Sequence, residues 1–88
     1  MDNTQTQTMT IPTYNGYKNY ETWNVSLWIQ NDFGLYNIAK DCQQSECMWD
    51  AFQETMIDCQ GITMTPDGVM YNDPEIDGLK IAEVIAGL

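Results

Sequence analysis

The sequence predicts an α+β domain that is mostly helical, with three N-terminal helices, a β-hairpin and a C-terminal helix. Three observations lead there. Apolar residues recur at helical spacing in three segments between Tyr20 and Gln60. The period breaks at Gly61, after which two short β-prone runs flank Pro66-Asp67-Gly68. Helical spacing then returns from Asp77 to Ala86. The chain has 88 residues, of which 43% are hydrophobic. A chain of this size has room for one core and buries about 60 to 65% of its unfolded surface.

Residues 1–12 are polar, Thr/Gln-rich and unpatterned, so they read as a flexible tail ahead of a single domain, 13–88. Asn15-Gly16 marks a turn. Asn19 is placed to cap a first helix, Tyr20–Asn31, with Glu21 in its first turn favoured by the helix dipole. Two tryptophans and apolar residues on more than one face predict that this helix is packed on several sides. A second helix is expected over 35–43, with Leu35, Ile38, Ala39 and Cys42 on one stripe. Ser45 is the natural N-cap of a third, and Gly61 sits just past its end. Ile62–Thr65 and Val69–Tyr71 then read as a hairpin about the Pro-Asp-Gly turn. The last helix, 77–86, is expected to carry Leu79, Ala82 and Ile85, flanked by Ile81 and Val84, into the core.

Charge is the outlying property. Thirteen Asp and Glu face three Lys, with no His, for a formal net charge of −10. Such a molecule repels nucleic acid and anionic membranes, because both need cationic partners. Neither direct nucleic-acid binding nor membrane binding is expected. The N-terminus lacks the basic and apolar regions of a signal peptide, and no apolar run approaches the length of a membrane span. Cytoplasmic residence is therefore expected. The three cysteines, Cys42, Cys47 and Cys59, form an odd set without a C-x-x-C pair. They fit buried thiols in a reducing compartment.

Chemistry is sparse. No His serves as a general base, no Arg meets an anionic transition state, and no phosphate loop is present, so an enzyme is not expected. No cofactor or metal is expected either. Asp73, Glu75, Asp77 and Gly78 imitate the start of a calcium loop, but Lys80 and Val84 stand where an apolar residue and a Glu belong. A divalent-ion-responsive module remains only as a distant alternative. The aromatic residues Tyr14, Tyr17, Tyr20, Trp23 and Trp28 fit core packing better than a stacking surface, since only Lys18 is nearby.

The segment "ECMWDAFQETMID" carries Glu46, Asp50, Glu54 and Asp58 at every fourth position with no intervening cation. On one helix these form a column opposite Met48, Phe52 and Met56. Its three like-charge pairs cost on the order of 1 kcal/mol. A column kept at that cost predicts a face presented to a basic groove in place of nucleic acid. Asp32 and Asp41 are candidates for support.

The stretch 15–39, "NGYKNYETWNVSLWIQNDFGLYNIA", resembles a family of small uncharacterised proteins of bacteriophages, cyanophages among them, and plasmids. Asn19 to Val25, Leu27 to Ile29, Asn31-Asp32 and Gly34 to Tyr36 carry the likeness, and 66–69 and 73–77 also look familial. Phe33 stands where those relatives tend to carry Glu. The resemblance supplies no catalytic or binding residues. It implies a mobile-element protein acting inside a bacterial cell. By analogy, it also implies an inhibitor of host nucleic-acid-handling machinery such as CRISPR effectors, restriction enzymes or transcription proteins. The alternative expectation is an adaptor that docks through an exposed Trp/Tyr patch, with charge serving only solubility.

Overall fold

Asn19 starts the first helix by accepting a 2.9 Å hydrogen bond from the Thr22 N–H, and α1 runs Tyr20–Asn31 as the sequence predicts. Asp32 ends it and begins the next. Its extended backbone breaks the helix while its carboxylate accepts from the Leu35 N–H at 3.0 Å, so α2 spans Phe33–Cys42, two residues earlier than expected. A computed structural model describes residues 16–88. The predicted tail 1–12, with Tyr14 and Asn15, lies outside the described residues.

After α2 come α3 (Met48–Glu54), a π-helical turn (Thr55–Cys59) and α4 (Gly78–Ala86). α1 packs on α2 and α4, and α3 closes the core against the same two helices. Val25 and Ile29 of α1, Ala39 of α2, Phe52 of α3, and Ile81 and Ile85 of α4 are all fully buried. Phe52 lies 5.8 Å from Tyr71, edge to face, which draws the 62–77 segment over the core.

The architecture is all-helical, which corrects the α+β expectation. No strand forms among the described residues, and the predicted hairpin is reduced to one antiparallel bridge between Met64 and Met70. The Pro66-Asp67 turn is made as expected. Gly68 donates to the Thr65 carbonyl at 2.8 Å and adopts φ +94°, a conformation open to glycine. Two ladder hydrogen bonds form, Thr65 N–H to Val69 O at 2.8 Å and Tyr71 N–H to Thr63 O at 2.9 Å, and the pairing stops there. Ile62, Thr63 and Met64 are exposed, and an isolated two-stranded pair is marginal in water.

The third helix is also corrected. The Ser45 hydroxyl accepts from the Cys47 N–H at 3.1 Å, a local turn that competes with capping, and α3 starts at Met48 without a side-chain cap. At its far end Thr55 Oγ1 donates back to the Ala51 carbonyl at 2.9 Å where the helix widens. The Gln60 N–H bonds Thr55 O, five residues back. Gly61, at φ +69°, ends the segment where the sequence places it. Leu79, expected in the core, is 82% exposed, and Cys47 and Cys59 are exposed rather than buried.

α1 also works as a polar clamp. Asn24, fully buried, accepts from Thr65 Oγ1 at 2.8 Å and donates to Asp67 Oδ2 at 2.8 Å. Trp28 Nε1 donates to the same oxygen at 2.9 Å. One turn earlier, Asn19 Nδ2 donates to the Glu75 carbonyl, and Thr22 Oγ1 accepts from the Asp77 N–H at 2.9 Å. The tetrapeptide 65–68 and the stretch 75–77 are thereby tied to one helix, which explains why the distinctive residues of 19–28 are polar and aromatic together.

Hydrogen bonds first from Asn24 and then from Trp28 hold the Asp67 carboxyl below the usual carboxylate value of 3.8. A carboxylate so held stabilises the fold fully above that value, and its contribution is lost as pH falls through the lowered one. Burial, and secondarily the charge of Asp32, push the Tyr71 phenol up to about 12. Its contribution is present below pH 10 and is lost as pH rises towards 12. A denaturation series across pH is expected to show an acid limb that shortens in Asp67→Asn and an alkaline limb that begins near pH 9.0, where burial raises the Cys42 thiol, before Tyr71 contributes.

Candidate anionic interaction surface

Asp50 and Glu54 lie on α3 and Asp58 on the π turn, and all three are exposed. With Ser45, Cys47 and Ala51 they line one shallow depression of about 390 Å³. Asp58 follows Glu54 by four residues, as Glu54 follows Asp50, the spacing that keeps neighbours on one helix face.

Glu46 is not on the helix, so the row is three carboxylates with a fourth beside it. Glu46 lines the adjoining groove and shares Asp50 with the row. Only two helical like-charge pairs remain, at a cost of about 0.4 to 1 kcal/mol.

The two supporting candidates separate. Asp41, exposed on α2, lines a depression that shares Ser45 and Ala51 with the row, which puts it on the row's flank. Asp32 is half-buried, committed to the α2 cap, and faces a different depression with Ile38, Ile62 and Met64. It belongs to the scaffold.

No lysine forms an ion pair with the row among the described residues. Among the described residues the ion pair is Lys80 with Glu83, at 3.8 Å, and Lys80 also lies 5.5 Å from the Tyr17 ring. Lys40 lies 5.9 Å from the Tyr36 ring and donates to the Leu88 carbonyl at 3.4 Å. Lys18 reaches the groove of Glu46 and Asp50 without forming an ion pair there.

The calcium-like stretch is used internally. Asp73 Oδ1 accepts from the Glu75 N–H at 2.8 Å, and Asp77 caps α4 through Lys80 N at 3.2 Å. Among the described residues no group of three or more His, Cys, Asp or Glu is placed to hold a metal ion.

The groove of Glu46 and Asp50 was not foreseen. It holds about 560 Å³ between the start of α3 and the start of α4, with Met48, Trp49, Ile76 and the exposed Leu79 along it. Trp49 stacks on Phe52 at 6.0 Å and closes on Gly78, where an added Cβ would lie 2.6 Å from Trp49 Cδ1. Gly78→Ala is therefore expected to displace the indole and cost about 1 to 3 kcal/mol, read from the denaturation midpoint. An unchanged midpoint would show a looser contact. The sequence places the start of this helix at Asp77, which instead caps it, and nothing local shows that an indole from α3 would fill the space at Gly78.

These features define a class: an acidic, mostly helical small domain with a carboxylate row that no cation pairs among its described residues. The chain belongs to the family described as "Family of unknown function (DUF7249)", whose profile matches residues 10–88. No curated protein and no solved structure matches it. Among the described residues no helix is long and apolar enough to cross a membrane.

Proposed function

We propose that this protein is a phage-encoded inhibitor that occupies the basic nucleic-acid groove of a host nucleic-acid-handling protein in the bacterial cytoplasm, without catalysing a reaction. A CRISPR effector, a restriction enzyme or a transcription protein is the class of target. One observation carries the reading: Asp50, Glu54 and Asp58 stand exposed along one face, Glu46 beside them and Asp41 on the flank, with no cation paired to them among the described residues. A row of fixed carboxylates answers a cationic groove built for phosphates, and steers encounter at long range. The likeness of 15–39 to phage and plasmid proteins supports the origin.

The aromatic-patch adaptor has less behind it. Trp28 is tied to Asp67, Trp49 is stacked on Phe52, and Tyr20 and Trp23 pack together at 5.7 Å. Capture of a bacterial nucleic-acid-binding protein on immobilised wild-type chain, followed by challenge with duplex DNA, tests the proposal. Displacement by DNA is expected. Retention at saturating DNA would remove the nucleic-acid groove from the account.

A further inference from the structure

The groove beside Glu46 and Asp50 has a chemistry that charge mimicry alone leaves unused. Met48, Trp49, Ile76, Leu79 and Ala82 give it a continuous apolar lining, and Leu79 stands 82% exposed at its edge. Carboxylates bound it at Glu46, Asp50 and Asp77, with Lys18 as the lone cation. A phosphate-tracking groove would meet the row and find nothing to place in this space.

We propose that the groove seats a bulky apolar side chain carried within a lysine- or arginine-rich segment of the partner protein. The inference rests on the anionic-surface reading and names the partner's chemistry. The acidic boundary selects a basic neighbour for the apolar anchor, as aromatic and aliphatic anchors inside charged rims do at interface centres. A second copy of this chain fits poorly, because it brings a net charge of −10 and its Lys40 and Lys80 are engaged at home.

Two synthetic peptides of equal positive charge test this. One carries a central Leu among lysines, and in the other Ser replaces that Leu. Fluorescence anisotropy at low salt is expected to show the Leu peptide binding about tenfold more tightly, as partial burial of one large apolar side chain gives. Leu79→Ser, a change at an exposed position, is expected to abolish that preference while leaving Ser-peptide affinity unchanged. Alkylation supplies the location: Cys47 lines both the groove and the row's depression, so at equal occupancy the Leu peptide should protect it more than the Ser peptide, whereas exposed Cys59 should react as before. Equal affinity for the two peptides, a preference that survives Leu79→Ser, or a Cys47 protected no better by the Leu peptide would overturn the proposal. Neutralising Glu46, Asp50, Glu54 and Asp58 separates it from the broader reading. Weakened binding of both peptides without a preference sinks the groove alone, and unchanged binding of both sinks the anionic surface. Sedimentation showing a dimer lost in Leu79→Ser would assign the groove to a second copy and also overturn it.

Discussion

Asn24→Ala is expected to lower the unfolding free energy by about 2 kcal/mol, because it strands the buried Thr65 hydroxyl. Thr65 Oγ1 loses its acceptor inside the protein, where Thr65 is 2% exposed, and Asp67 loses the nearer of its two donors. For a domain of this length each kcal/mol shifts the melting temperature by about 4 to 8 °C, so a drop of about 8 to 16 °C is expected by calorimetry. Asn24→Asp sharpens the test. It preserves the acceptor for Thr65 but sets two carboxylates against each other at Asp67, and it should be no better than Ala near neutral pH. If Asn24→Ala melts within a few degrees of wild type, the clamp does not hold the 65–68 turn.

The second large effect concerns binding. Changing Glu46→Gln, Asp50→Asn, Glu54→Gln and Asp58→Asn together should leave the fold intact and raise its stability slightly, by up to about 1 kcal/mol, as the like-charge pairs vanish. The same four changes should weaken partner binding at low salt by about 4-fold to several hundred-fold, since contacts of about 0.2 to 1 kcal/mol each are lost at four sites. Stability and binding thus move in opposite directions. A merely solvated face would gain the stability and lose no affinity. Asp32→Asn should behave differently again, weakening the α2 cap without a specific effect on binding.

What was legible depended on how local the cause is. α1 was readable because Asn19 caps it, Asp32 stops it and its apolar pattern lies within twelve residues. Gly61 was readable for the same reason. The hairpin was not, because strand formation depends on burial, and residues 62–64 stay exposed at the edge of the helices. Ser45 could hydrogen-bond in two ways, and letters alone do not choose between a cap and a turn two residues on. Leu79 shares a stripe with core residues, but its burial depended on where α3 would pass. Of the predicted column, Asp50, Glu54 and Asp58 keep the fourth-residue spacing and line one depression, whereas Glu46 left it with the shortened helix. Asp67 read only as a turn residue, since its partner Asn24 is 43 positions away.

The measurement closest to the central claim is retention of a bacterial protein on the wild-type chain and on the four-fold neutral variant. Washes at about 0.05 M and about 0.5 M salt would bracket the roughly 10 Å screening length of 0.1 M. Retention by wild type at low salt only, with none by the variant at either, is the predicted pattern. Equal retention by both chains through the high-salt wash would contradict it.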